Sequence, residues 1–399
     1  MRILILHNRY KLHGGEDVVV QQESQLLRDA GHFVDVMEVS NDEIESGVDK
    51  LKTAVMSIYS QPMRKLVEHR IQNIDADVLH VHNFFPRLTP SVYDAGINLN
   101  CAVIQTLHNY RLVCPGGLLF RDGVVCEECL GHSFALPGIQ HGCYRGSRIG
   151  SATIATMTAF HRMRGTWKNR VDRYIVLNEY AKSVFSKYGG LSPERIRVKP
   201  NVVPDSGLGV GSGNYALFVG RLSPEKGIST LLRAASSPEF RLPLKIVGTG
   251  PMQSEVVAAA TAHPGIEYLG AQPRAEVIRL VKDALVQIVP SEWHETGGPL
   301  VIGEAFAAGI PVITPAMEPM STVVMDGISG LLYTPRDDKD LCHAVTRIVE
   351  NPQMVAAMRI EARQRYEGMY LPQANLNALE SIYREAIEEV RERGERPSK

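Results

Sequence analysis

The stretch ETGGPLVIGEAFAAGIPVIT, residues 295–314, holds two carboxylates, Glu295 and Glu304, separated by eight residues. Gly297, Gly298 and Pro299 stand between them, ahead of helical residues that begin at Leu300. Free N–H groups at such a helix start form an anion site, favoured by the positive end of the helix dipole. Glu304 falls about a turn and a half into that helix. A carboxylate there repels phosphate but suits vicinal ribose hydroxyls. Glu295, before the turn, can reach sugar hydroxyls. The competing reading is a tightly packed core helix with an incidental acid.

Three further segments pair glycines with charge. FVGRLSPEKGISTLLRA (218–234) sets Arg221 and Lys226 beside Gly220 and Gly227 in the loop after a strand. Two cations in that setting can clamp a diphosphate, Arg with a planar fork and Lys with a point charge. A solvated loop with two exposed cations is the alternative. KIVGTGP (245–251) places Gly248 and Gly250 at a strand-to-helix turn, where glycine lets backbone approach a ligand. The third glycine of the dinucleotide fingerprint is missing. HNRYKLHGGEDVVV (7–20) repeats the device with Gly14 and Gly15, and Glu16 suits the helix start. His7, His80, His82 and His108 close strand-like runs, where an imidazole can donate a hydrogen bond or move a proton. His108, in TLHNYR with Tyr110, is the first choice among them.

Four of the six cysteines fall within thirty residues: Cys114, Cys126, Cys129 and Cys143. One CxxC pair with two flanking thiols and interspersed glycines fits a tetrahedral structural zinc site. His132 and His141 are substitute ligands, an iron–sulfur cluster is a second metal reading, and unlinked thiols are the plain one. The following segment, 144–173, has seven Arg or Lys against one Asp and an amphipathic middle with Trp167. It reads either as a surface that meets anionic lipid or as a solvated helix rim.

The elements that must position these residues follow a clear rhythm. RILILH, FVDVMEV, ADVLHVHN, AVIQTLHN and DRYIVLN are strand-like and alternate with amphipathic helices, one of them (GGEDVVVQQESQLLRDAG) stopped at Gly31. The pattern breaks at KPNVVPDSGLGVGSGN, read as an interdomain linker, and then restarts from YALFVG to DLCHAVTRIVE. The alternation predicts two α/β Rossmann-like domains with parallel sheets, their ligands held in the cleft between them at the carboxyl ends of the strands. Residues 1–203 form the first domain, with the Cys-rich insertion 114–143, and residues 204–370 the second. Residues 371–399 supply a long helix and a tail. The 399 residues carry a net charge of −1, with 44% hydrophobic and 22% charged residues, which gives no global pull toward nucleic acid or membrane. No apolar run reaches transmembrane length, so a cytoplasmic protein is expected, with peripheral contact at the inner face of the cell membrane as an addition.

Taken together, GRLSPEKG, VGTGP, PSEWHETGGPLVIGEAFAAGIPVI and MDGISGLL, with HGGED and TLHNYR upstream, resemble the retaining glycosyltransferases of family 4 along nearly the whole chain. The resemblance implies the GT-B fold, with the final helix crossing back to the first domain. It implies a nucleotide-diphosphate sugar donor held mainly by the second domain and an acceptor, a lipid-linked or growing polysaccharide glycan, held mainly by the first. Arg221 and Lys226 would bind the diphosphate, Glu304 the ribose and Glu295 the transferred sugar. Gly14, Gly15, Gly220, Gly248, Gly250, Leu269, Gly297, Gly298, Pro299 and Leu300 would complete the donor site. His82, His108 and Tyr110 would face the acceptor, with His108 near the sugar. His108, Arg221, Lys226 and Glu295 form the catalytic set, and transfer would need no cofactor. One departure stands out: the family leaves seven residues between its two glutamates, this chain eight. The extra small residue makes Glu292 and His294 rivals for the role of Glu295. Competing functions are a nucleotide-sugar 2-epimerase on the same fold and a zinc-knuckle nucleic-acid-binding protein, the latter disfavoured by the charge balance.

Overall fold

The computed structural model describes residues 1–9, 15–40, 56–210, 213–297 and 300–395. The chain divides into two compact units. The first comprises Met1–Leu119, Cys126–Val202 and Asn375–Lys399, the second Phe120–Val125 and Val203–Ala374.

The first unit is built on β1 (Arg2–Arg9), β2 (Phe33–Ser40), β3 (Val78–Asn83), β4 (Ala102–Thr106), β7 (Arg173–Val176) and β8 (Ile196–Val198), all parallel, in the order β2-β1-β3-β4-β7-β8. In sequence between β4 and β7 lies a separate hairpin, β5 (Phe120–Arg121) with β6 (Val124–Val125), which is grouped with the second unit. The apolar run Ile3–Leu6 is fully buried because helices cover both faces of the sheet. The helix Gly15–Asp29 covers part of one face through Val20 and Leu27. Gly31, at φ +83°, takes the left-handed turn after it.

The helix Pro372–Glu395 belongs, from Asn375 on, to this first unit. Its residues Leu376, Leu379, Ile382, Tyr383 and Ala386 recur at helical spacing and pack with Ile3, Ile5, Val20 and Leu27. Each Leu or Ile among them contributes about 1.5–3 kcal/mol on burial. Arg173 reaches Glu385 and Glu389 on the same helix, and Arg197 reaches Glu385.

The second unit carries β9 (Ala216–Val219), β10 (Leu244–Val247), β11 (Ile266–Gly270), β12 (Val286–Ile288), β13 (Val312–Pro315) and β14 (Gly330–Tyr333). Their parallel order, β11-β10-β9-β12-β13-β14, reverses direction between β9 and β12. Such a switch point leaves the loops after the two strands free to receive a ligand. Here those loops hold Arg221 and Lys226 on one side and Ser291–Gly297 on the other.

The segment read as a linker is irregular but not a solvated tether. Lys199, Asn201, Val202 and Val203 are buried. Tyr366 donates to the Val203 carbonyl at 2.9 Å. Among the described residues no helix is long and apolar enough to cross a membrane.

Candidate functional site

In the second unit the loop after β9 is fixed by close backbone contacts. A Cβ on Gly248, at φ +135°, would stand 1.9 Å from the Gly220 carbonyl oxygen, and one on Gly250 would stand 2.3 Å from that of Leu222. Leu222 N–H donates to Thr249, and Met252 N–H to Leu222. Both glycines therefore have a sufficient structural role: they let the loop after β10 lie on the loop after β9. Gly227, at φ +69°, lies against the Pro290 carbonyl in the same way, its missing Cβ leaving room for an oxygen that would be 1.9 Å away. The backbone N–H of Glu292 donates to the Glu225 carbonyl at 2.9 Å. The two loops at the switch point are thus joined to each other.

This junction brings four side chains together. Lys226 Nζ donates to Glu295 Oε1, and Ser291 Oγ donates to the same oxygen at 2.9 Å. The Lys226 ammonium also lies 5.6 Å from the centre of the Trp293 ring, within cation–π range. Glu295 and Trp293 are buried and Lys226 is half-buried. Of the three candidates for the sugar-reading acid, Glu295 is the one placed on Lys226. Glu292 accepts instead from Thr230 and faces Arg336, and His294 Nδ1 lies 2.7 Å from the Glu318 carbonyl. Arg221 is exposed in the loop after β9.

The helix Leu300–Ala307 buries Ile302, Gly303, Ala305, Phe306 and Ala307, and a Cβ on Gly303 would meet Val203 at 2.7 Å. Glu304 is half-buried on that packed helix and pairs with Arg274 on a neighbouring one. Leu300 is half-buried at the helix start. Leu269, also half-buried, ends β11 beside Gly270, whose carbonyl accepts from Gly248 N–H. Gly297 is half-buried ahead of the helix. Gly14, Gly298 and Pro299 lie outside the described residues.

The first unit gathers its own polar cluster at the carboxyl ends of β1, β3 and β4. His82 Nδ1 lies 3.0 Å from His108 Nε2, and His82 Nε2 lies 3.6 Å from Glu23 Oε2. Glu23 Oε1 accepts from Lys199 Nζ at 2.6 Å, and Lys199 also donates to Asn375 Oδ1 at 2.9 Å. His80 lies between Tyr383 and Thr106, at 2.7 and 2.8 Å, and His7 pairs with Asp17 at 2.8 Å. Burial, first, pushes His80, His82 and His108 below the ordinary imidazole value; neighbouring positive groups lower them further, while Glu23 opposes the shift at His80 and Glu16 and Glu23 oppose it at His108. Burial alone would raise the Glu23 carboxyl, but Lys199 and His80 hold it below its usual value. A small cavity opens beside His108, lined also by His82, Gln105, Asn109 and Arg111.

Gly15 is exposed as the first residue of its helix, and Glu16 in the first turn accepts from Asn109 Nδ2 at 3.2 Å. Tyr110 is fully buried and stacks on Phe185, a packing position. Sequence reasoning did not single out Glu23, Asp17, Lys199 or Asn375. Lys199 and Glu23 are 176 residues apart, and no local pattern links them.

Burial pushes the Cys129 thiol up to about 11, with Cys114, Cys143 and Cys126 adding to it and a backbone hydrogen bond at Gly138 opposing it. Among the described residues, the group of three or more candidate ligand atoms lying mutually within 4.8 Å is Glu23, His80 and His82, and the thiols are not drawn that close. His132 and His141 are exposed, the latter 3.5 Å from Glu128.

Residues 207–365, inside the second unit, match the family model described as glycosyl transferases group 1. Solved structures of 11–18% identity covering 96% or more of the chain place the whole in the GT-B fold. Among individual proteins, a D-inositol 3-phosphate glycosyltransferase of Nocardioides is 34% identical over 201 residues, 44% of this chain and 42% of its own length. The chain spans less than half the length of the first curated relatives it matches. A sucrose-phosphate synthase from Thermosynechococcus elongatus superposes with a TM-score of 0.70 at 18% identity, covering 96% of this chain and 98% of that one. HepE from Anabaena, solved in complex with UDP, gives 0.66 at 15%, covering 96% and 99%.

Proposed function

We propose that the protein is a retaining glycosyltransferase that moves a sugar from a nucleotide-diphosphate donor to a glycan or lipid-linked acceptor. The observation that carries the reading is the Lys226–Glu295 pair at the β9/β12 switch point, inside the segment that matches the glycosyl transferase model. A uridine nucleotide is the first donor to test, given the UDP bound to HepE.

In this reading the leaving group is a nucleoside diphosphate whose charge grows as the bond from sugar C1 to phosphate oxygen breaks. Arg221 and Lys226 stabilise that charge, so the step needs no catalytic metal. Glu295, already in contact with Lys226, reads the sugar hydroxyls, and Glu304 the ribose. The acceptor oxygen forms the new bond to C1 on the face the phosphate leaves, and its proton passes to the departing phosphate oxygen. No protein nucleophile is required. His108, beside the cavity of the first unit, serves as a hydrogen-bonding group toward the sugar, with His82 holding its ring.

The acceptor side is read as working at a membrane surface. The helix Arg148–Met163 exposes Ile149, Phe160 and Met163, flanked by Arg145, Arg148 and Arg164. An apolar stripe rimmed by cations suits the headgroup region of anionic lipid and a cytoplasmic location. Salt-sensitive binding to anionic vesicles is the expected result, and its absence removes this part of the reading.

The test of the activity is a screen of nucleotide sugars for thermal stabilisation and slow donor hydrolysis. One donor should raise the melting temperature in a concentration-dependent way. A protein that no nucleotide sugar stabilises and that hydrolyses none is not this enzyme.

A further inference from the structure

We propose that Glu23 is a positioning residue for the reaction: acting through His82, it fixes which nitrogen of His108 carries the hydrogen at the cavity of the first unit. This role rests on the transferase reading, whereas the contacts that build it do not. Glu23 comes from the helix Gly15–Asp29, His82 from β3, His108 from the loop after β4 and Lys199 from the segment after β8, all within the first unit. Glu23, His82 and Lys199 are only 1–2% exposed, and His82 and His108 line the cavity together.

Two buried atoms carry the link. Glu23 Oε2 and His82 Nε2 have no hydrogen-bond partner among the described residues, yet they face each other at 3.6 Å. That gap is slightly too long for a hydrogen bond and too short to admit a water. Leaving both groups buried and unmade is costly, so a closure of about 0.5 Å into hydrogen-bond range is favoured. The direction of the bond is set by Glu23. Its other oxygen, Oε1, accepts from Lys199 Nζ at 2.6 Å. Burial raises its carboxyl, but Lys199 holds it below its usual value. An ionised carboxylate accepts only, so His82 Nε2 must donate. A ring with one N–H then offers a lone pair at Nδ1, and His82 Nδ1 lies 3.0 Å from His108 Nε2. The ring centres are 5.2 Å apart and the planes 20° apart, so the nitrogens meet edge to edge. The hydrogen between the rings accordingly belongs to His108 Nε2. His108 Nδ1 is left as the accepting nitrogen, the form that takes a hydrogen bond from a sugar hydroxyl and turns away a phosphate oxygen.

The surroundings brace this chain of contacts. Asn375, in the last helix, shares the Lys199 ammonium at 2.9 Å. His80 packs on His82 with ring centres 4.2 Å apart, its own nitrogens taken by Tyr383 and Thr106. Gln105 Nε2 donates to the His82 carbonyl at 3.3 Å. Glu23, His80 and His82 also bring ligand atoms mutually within 4.8 Å. The Lys199 ammonium already supplies the positive charge there, which makes the cluster a relay and not a metal site.

The test uses the full chain, free of nucleotide, with isotopically labelled histidine. Long-range proton–nitrogen correlation spectra report which ring nitrogen carries the hydrogen. His82 and His108, assigned through His82→Asn and His108→Asn, should both show Nε2–H. Glu23→Leu with Lys199→Met removes the carboxylate and its buried counter-charge together and so leaves no orphaned charge. That double variant should lose the fixed tautomers. With the donor found by screening, its kcat should fall by about 10–100-fold, the weight of one hydrogen bond to a charged group, at unchanged KM for the donor. Glu23→Gln with Lys199→Met keeps an accepting oxygen and should regain much of both. Nδ1–H on either ring of the wild type overturns the proposal, and that spectrum decides even where a variant fails to fold. Wild-type tautomers and turnover in the Leu variant overturn it as well. Intact Nε2–H tautomers in a protein that transfers no sugar would remove the transferase reading and leave the relay standing.

Discussion

Lys226 and Glu295, 69 residues apart in the chain, are joined by a direct ion pair whose shared oxygen also accepts from Ser291. The proposed phosphate cation and the proposed sugar-reading acid are thus one unit. In the proposed function a bound diphosphate would compete with Glu295 for Lys226 and leave the carboxylate free for hydroxyls. Lys226→Ala should lower kcat/KM by about 10²–10³-fold, the scale for removing one charge-stabilising group, with an unchanged far-ultraviolet spectrum. Glu295→Gln should lower turnover while leaving binding of the free nucleoside diphosphate intact or tighter, since Lys226 is no longer paired. Near-normal turnover in Lys226→Ala would sink the assignment.

The buried Lys199–Glu23 pair makes a separate prediction about stability. Both side chains are essentially inaccessible, and Asn375 of the last helix shares the ammonium. Removing one partner leaves an uncompensated buried charge, at a cost of about 3–5 kcal/mol. Lys199→Met should therefore unfold at much lower denaturant, and Lys199→Met with Glu23→Gln should recover a good part of the loss. Equal destabilisation in the single and double variants would show that packing, not charge, is what the pair supplies.

Gly227 tests the loop junction. It needs both a left-handed backbone and the absence of a side chain, because Pro290 occupies the space of a Cβ. Gly227→Ala should cost about 1–3 kcal/mol and raise the Kd for the donor nucleotide, since Lys226 is the preceding residue. Calorimetric titration with that nucleotide reads both effects against wild type.

His161 predicts a pH dependence. Burial, first, pushes its imidazole down to about 4, with Arg164 adding to that and the Ile58 carbonyl and Asp94 opposing it. Its ring also contacts Thr166 at 2.8 Å. The folded form binds its proton less readily than the unfolded form, whose value lies near 6.5. Stability from this group is therefore fully present above about pH 6.5 and is lost as pH falls toward 4, by on the order of 3 kcal/mol in all. Chemical denaturation across that range should show a shallower pH slope in His161→Gln than in wild type. Parallel slopes would exclude the mechanism.

The sequence by itself determined the two Rossmann-like units, because alternating apolar runs and amphipathic stretches are local patterns that the burial of β1 and the helix Pro372–Glu395 then follow. It also exposed Arg221, Lys226, Glu295 and Glu304, since glycine, proline and charge at strand ends mark loops. Tertiary structure alone decided what those residues touch. That Gly248 and Gly250 serve the packing of one loop on another, that Tyr110 is a core residue and that Lys199 is buried all depend on chain segments meeting across the sheet. The one-residue insertion between the two glutamates left Glu292, His294 and Glu295 as rivals in sequence. The fold placed Glu295 on Lys226, because an ion pair is a relation between two distant backbones, and spacing along either one does not contain it.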